Sequence, residues 1–159
     1  MKLLTIDRWQ VVCDYEATIA AYASTDAWGE KGSCVCSYCK NFFTAINQAY
    51  PPEFVAILNQ LGTRPGEETE VFQYNREPNG LHIYGGWFSF IGSILSGIDG
   101  MAVTSEKTRM PNVQITERFG YFLTSDRHYW IPTAFKDKGL VTVEFTTQIP
   151  WVIDDKDPS

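Results

Sequence analysis

The hydrophobic periodicity of the chain changes at Glu68, and this change constrains the fold more than any other feature of the sequence. Between residues 39 and 61, apolar side chains recur at steps of three and four residues, which is typical of amphipathic helices. From Glu68 onward they recur at steps of two, which is typical of strands. Helices followed by strands predict an α+β domain, in which two N-terminal helices pack on a mostly antiparallel sheet of about five to six strands.

Pro51 and Pro52 divide the helical part into two predicted helices. The first covers residues 39–50 and ends at the prolines, because proline cannot continue a helix. The second begins at Pro52, where the missing N–H is not needed in the first turn, and ends at Gly62. The preceding segment, residues 15–23, fits either a helix or a strand.

The strand-forming part is divided by turns and glycines. A turn at residues 77–80 predicts a hairpin between residues 71–74 and 81–84. Adjacent glycines, Gly85 and Gly86, indicate a bulge or a close approach of another backbone. The other predictions are a β-prone segment over residues 3–12, a weak turn over 93–100, strands over 113–123 and 140–147, and a final segment, 149–153, near an edge of the sheet.

The length of 159 residues fits a single domain, which we assign to residues 1–153. Residues 154–159 contain no apolar side chain and are expected to form an acidic, flexible tail. No apolar run approaches the ~20 residues of a membrane-spanning helix. Because Asp7 and Arg8 place charge too early for a secretory signal, we expect a cytoplasmic protein.

The net charge of −6 restricts the class of partner. Phosphate backbones and anionic lipids repel an acidic protein unless it carries a basic patch, and the lysines and arginines of this chain are scattered. We therefore expect neither a nucleic-acid nor a membrane partner. A protein, above all a basic one, or a small ligand is expected instead.

Three of the four cysteines form a C-x-C-x-x-C motif at Cys34, Cys36 and Cys39, and Cys13 lies upstream. A C-x-x-C turn can place two thiolates on one zinc ion, and Cys34 can supply a third. The fourth ligand would be Cys13, His82 or His128, which the fold would have to bring to the motif. The alternative is that these residues are unreactive thiols, with Cys39 on the apolar face of the first predicted helix.

A redox interpretation of the same motif stays open. Cys36-Ser37-Tyr38-Cys39 resembles the C-P-Y-C of glutaredoxins over these four residues, and it precedes a predicted helix. A helix N-terminus stabilises a thiolate, so Cys36 would be the nucleophile and Cys39 the resolving thiol. The resemblance ends there, because a second helix follows where that family has a strand. No nucleophile elbow and no phosphate-binding loop occurs elsewhere in the sequence.

Twelve of the 23 aromatic residues lie in two strand-forming regions, around residues 72–90 and 119–135. Their alternation leaves large rings on both faces of the sheet, so the face without helices needs another cover. Loops such as residues 101–111 or a homodimer can provide it. Alternatively, the rings form a ligand or partner surface, for which the candidates are Tyr84, Trp87, Phe88, Tyr121 and Trp130. The sequence thus favours a non-enzymatic binding domain with a structural zinc.

Overall fold

A computed structural model describes residues 1–25, 34–103, 105–107, 109–128 and 131–158, and it confirms the predicted α+β class. The helices in this part of the chain are α1 (Tyr15–Ala23), α2 (Ser37–Thr44), α3 (Ile46–Ala49) and α4 (Pro52–Leu61). The strands are β1 (Lys2–Ile6), β2 (Trp9–Cys13), β3 (Glu70–Arg76), β4 (His82–Ser96), β5 (Ala102–Val103), β6 (Arg109–Met110), β7 (Val113–Thr116), β8 (Phe119–Thr124) and β9 (Leu140–Ile149).

Seven of these strands form one antiparallel sheet around the long strand β4. Its order is β1-β2-β4-β9-β8-β7, and β3 pairs with the first half of β4 on the side where β2 pairs with the second half. The sheet is therefore slightly larger than predicted. Strands β5 and β6 form a separate two-stranded sheet.

Three strand predictions were wrong in detail. Residues 93–96 continue β4 instead of forming a turn, because Ile94 pairs with Val11 near the start of the chain. Residues 113–123 form the hairpin β7–β8 rather than one strand. The segment after Ile149 does not leave an edge of the sheet, since β9 lies between β4 and β8.

The helical part agrees with the prediction at α4 and differs from it before Pro51. Residues 15–23 form a helix because the side chain of Asp14 accepts a hydrogen bond from the N–H of Ala17. The predicted helix over 39–50 is divided at Ala45 into α2 and α3. Helix α4 begins at Pro52 and ends at Gly62, as predicted, and Gly62 adopts the left-handed conformation that favours glycine there.

The main core lies between the sheet and helices α2, α3 and α4. On β4 the alternate residues Tyr84, Phe88 and Phe90 are buried in this core, together with Phe42 and Phe54 of the helices. A smaller cluster contains Tyr22 of α1, Ile91, Phe135 and Leu140. Because successive strand residues point to opposite faces, Ile91 lies on the face opposite Phe90. Helix α1 therefore helps to cover the second face of the sheet.

The predicted close approach of another backbone is found at Gly86, whereas side chains approach Gly85. A Cβ atom at Gly86 would overlap the backbone carbonyl of Glu70, and one at Gly85 would lie 2.7 Å from the ring of Tyr74. Within the described residues, none of the helices has the length and apolar composition needed to cross a membrane.

Candidate metal centre

The start of helix α2 brings the three clustered cysteines together. Cys36 is the N-cap of this helix, and its Sγ atom accepts a hydrogen bond of 3.5 Å from the backbone N–H of Cys39. The C-x-x-C spacing is thus a capping geometry, in which the side chain of the cap faces the third residue of the helix. Cys39 follows on the buried side of the first turn.

The Sγ atoms of Cys34, Cys36 and Cys39 all lie within 4.8 Å of one another. The sulfur atoms of Cys34 and Cys36 are 3.2 Å apart, and all three residues are free thiols. Cys36 is exposed, whereas Cys39 is only 5% exposed. The cluster therefore contains one buried thiol, that of Cys39, and one solvent-exposed thiol, that of Cys36.

The surroundings of Cys36 and Cys39 shift the pKa values of their thiols in opposite directions. Burial by itself would raise the pKa of Cys36, but hydrogen bonds from the Cys39 N–H and from the neighbouring thiols outweigh it and lower this pKa below its usual value. Burial raises the pKa of Cys39 well above its usual value, and the adjacent Cys34 and Cys36 raise it further. Cys36 is consequently more readily ionised than Cys39.

A cavity of about 380 Å³ borders the cluster. Its lining residues are Cys34, Val35, Lys40, Phe43 and Thr44. The Lys40 ammonium lies 3.4 Å from the carboxylate of Asp155 in the C-terminal segment. The cavity beside Cys34 thus has two apolar side chains, Val35 and Phe43, in its wall. Among its described lining residues, the one cationic residue, Lys40, is already paired with Asp155.

The C-terminal segment holds helix α2 in place. Asn41 is fully buried, donates a hydrogen bond to the carbonyl of Pro150 and accepts one of 2.7 Å from the N–H of Val152. Asp155 accepts a hydrogen bond from the hydroxyl of Ser37. These contacts connect α2, which begins after Cys36 and contains Cys39 in its first turn, to residues more than 100 positions away.

The other predicted ligands lie elsewhere. Cys13 is not a member of the thiol group, because β2 directs it into the core, where its Sγ atom lies 3.6 Å from the carbonyl of Leu61. This part of the metal prediction is corrected. His82 is fully buried between Gln73 and Asp157, whose carboxylate is 3.0 Å from its Nε2 atom. His128 stacks on Trp87 at a centroid distance of 3.8 Å.

The proposed aromatic surface is also corrected. Tyr84 and Phe88 are 0% exposed and Tyr121 is 1% exposed, since their side of the sheet is covered by the helices. Trp87 lies on the other side and is 6% exposed beneath His128. Trp130 lies outside the described residues. The four candidate rings that the structure describes, Tyr84, Trp87, Phe88 and Tyr121, therefore belong to the interior rather than to an exposed binding face.

Two contacts between titratable side chains were not predicted from the sequence. Nε2 of His128 lies 2.9 Å from the carboxylate of Glu144, without the alignment of a hydrogen bond. Glu68 is 2% exposed and accepts a hydrogen bond from Tyr50. The sequence predicted a solvated side chain for Glu68, because this glutamate follows a loop rich in glycine and proline.

The chain matches no protein-family model, no curated protein and no solved structure. The chemical character of the site therefore follows from its own residues, and the three clustered thiols give it the donor set of a thiophilic metal ion.

Proposed function

We propose that the protein is a non-enzymatic binding domain whose Cys34, Cys36 and Cys39 hold a zinc ion. The observation that supports it is the mutual distance of the three sulfur atoms, all within 4.8 Å. With a Zn–S bond of about 2.3 Å and tetrahedral angles, two sulfurs on one ion lie about 4 Å apart. The thiols thus need only small movements to bind one ion.

The proposed zinc would act locally. None of Cys34, Cys36 and Cys39 belongs to the main core cluster of the described residues, which is built from helix and strand side chains. The ion would instead fasten Cys34 to the first turn of α2. Because metal binding couples to the order of the chain that supplies its ligands, zinc should stabilise this region more than the sheet.

Metal analysis of the protein purified under reducing conditions, without added zinc, tests the proposal. We expect about one zinc ion per chain, with all three clustered thiols protected from alkylation until a chelator is added. Cys34→Ser, Cys36→Ser and Cys39→Ser should each reduce the zinc content. Cys13→Ala is the matched control and should keep it, since Cys13 lies outside the cluster. Full zinc content in all three serine variants would contradict the proposed ligands.

A second candidate function is thiol–disulfide exchange, favoured by the exposed Cys36 at the helix N-cap and the buried Cys39 three residues later. The Cys36 thiolate would attack a substrate disulfide, whose second sulfur would leave as a thiolate and take up a proton. Cys39, having lost its proton, would then attack Cys36 and release the other substrate thiol. Two electrons pass to the substrate, and a Cys36–Cys39 disulfide forms.

Oxidised glutathione tests this second candidate on the metal-free protein. Thiol–disulfide exchange predicts a Cys36–Cys39 disulfide, detected by peptide mass, together with two reduced glutathione molecules per chain. Cys36→Ser should abolish the reaction. Cys34→Ser is the matched control, because it removes a neighbouring thiol but leaves both reacting ones. Metal-free protein that forms no Cys36–Cys39 disulfide with oxidised glutathione would contradict the redox function.

The partner we propose is a protein or a small ligand. The net charge of −6 supports a basic partner, because complementary charge accelerates association. A second copy of the chain is an alternative partner. Sedimentation over a range of concentrations tests it, and a constant mass of 18.0 kDa would contradict a homodimer.

A further inference from the structure

We infer that the zinc ion takes its fourth ligand in the cavity beside Cys34, and that this ligand is a neutral nitrogen donor of the imidazole class. This inference depends on the proposed zinc site and extends it from a binding site for the ion to a binding site for a second molecule. It is supported by three features of the site: its donor set, its cavity and its charge.

Among the described residues, three protein ligands are available where tetrahedral zinc needs four. Within the residues that the structure describes, the metal-binding group consists of Cys34, Cys36 and Cys39. His82 and His128 have other positions, the first against Asp157 and the second on Trp87. Zinc with three protein ligands keeps a fourth position for water or another small molecule.

The cavity provides the space for that molecule. Cys34, one of the three proposed zinc ligands, is part of its wall, so the cavity borders the proposed metal site. A volume of about 380 Å³ exceeds that of one imidazole ring and falls in the range of small-molecule sites. Val35 and Phe43 form apolar walls, which suit the faces of a flat ring.

The charges select a neutral donor. Three thiolates and one zinc ion carry a net charge of −1, which repels a carboxylate or a phosphate. Lys40 does not reverse this, because its ammonium already faces Asp155 at 3.4 Å. A neutral imidazole nitrogen, which is a common zinc ligand, does not meet this repulsion.

Cobalt(II) tests the inference, because it occupies zinc sites and its visible absorption reports the coordination of the ion. The full chain is loaded with cobalt and titrated with 4-methylimidazole or, in parallel, with acetate. We expect a saturable change of the visible spectrum with 4-methylimidazole and none with acetate at the same concentration.

A pair of variants locates the ligand. Val35 is 85% exposed, so Val35→Ala should leave the fold intact and remove part of an apolar wall of the cavity. It should weaken the binding of 4-methylimidazole about fivefold. Val103→Ala is the matched control, since Val103 is also exposed and does not line the cavity. It should not change the affinity.

The outcomes separate the two proposals. Thiolate-to-cobalt absorption that neither compound alters would overturn the inference and leave the zinc site standing. Equal responses to 4-methylimidazole and acetate, or equal effects of the two valine variants, would also overturn it. If cobalt gives no thiolate absorption at all, both the zinc site and the inference are wrong.

Discussion

The hydroxyl of Tyr50 donates a hydrogen bond of 2.7 Å to the carboxylate of Glu68 in the interior of the protein. The backbone N–H of Gly66 donates to the same carboxylate at 3.1 Å. Burial raises the pKa of Glu68 to about 7, because it opposes ionisation more strongly than these two donors favour it. Glu68 therefore gains or loses its proton near neutral pH within the folded protein.

This raised pKa makes the free energy of unfolding depend on pH. The unfolded chain, in which the pKa of Glu68 is near 4.5, loses the proton first as pH rises. The contribution of Glu68 to the free energy of unfolding is therefore fully present below about pH 4.5, and it is lost as the pH rises to about 7. The loss is roughly 3 kcal/mol by linkage.

Glu68→Gln should remove this component. Urea unfolding at about pH 5 and about pH 8 should show a smaller loss of stability with rising pH for the variant than for the wild type. Glu53→Gln, on the exposed surface of α4, is the control and should retain the wild-type difference. Equal pH dependence in the wild type and Glu68→Gln would contradict the prediction.

Asn41 should contribute more to stability than its size suggests. Asn41→Ala removes the hydrogen bonds to Pro150 and Val152 and leaves their backbone groups without this partner, so we expect a loss of roughly 2 to 4 kcal/mol. Chemical denaturation measures it. Asn59→Ala on the exposed side of α4 is the matched control and should change stability by less than about 0.5 kcal/mol.

The adjacent glycines of β4 should differ in their tolerance of alanine. At Gly86 the added Cβ meets the backbone of Glu70, which cannot move without disturbing the pairing of β3, so Gly86→Ala should cost about 3 kcal/mol or more. At Gly85 it meets the rings of Phe72 and Tyr74. Tyr74 is 56% exposed and can move aside, so Gly85→Ala should cost only about 1 kcal/mol. The reverse order of the two unfolding free energies would contradict this interpretation.

The thiols should react at different rates in the reduced, metal-free protein. Iodoacetamide should modify Cys36 first, because it is exposed and its pKa is lowered, at a rate at least about tenfold above those of Cys39 and Cys13. Peptide fragmentation by mass spectrometry assigns the modified residue. Zinc should suppress the reaction at Cys36, and faster modification of Cys13 than of Cys36 would contradict the assigned burial.

Several features of the fold were accessible from the sequence because they depend on neighbours within a few residues. The helical spacing of apolar residues, Pro52 and Gly62 were sufficient to predict helix α4 with its correct ends. The C-x-x-C spacing was sufficient to place Cys36 near the start of a helix. The spatial proximity of Cys34, Cys36 and Cys39 could also be predicted, because the three residues lie within six positions of the chain.

Other features depend on partners that are distant in the sequence. Residues 93–96 form a strand because β2, from the beginning of the chain, pairs with them. The alternation of aromatic residues indicated rings on both faces of the sheet. Tyr84 and Tyr121 are interior residues because helices pack on their face of the sheet. Cys13 was assigned to the metal site by residue type, and its position on β2 directs it to Leu61 instead.

The sequence by itself determined the α+β class, helix α4 and the grouping of three thiols. Periodicity, proline, glycine and capping act over single turns, so a short segment is sufficient to predict them. Only the tertiary structure decided that Cys13 lies apart from the cluster, which cavity lies beside Cys34 and how the C-terminal segment holds α2 through Asn41 and Asp155. Burial and long-range hydrogen bonds arise when distant segments exclude water together, and no local pattern encodes them.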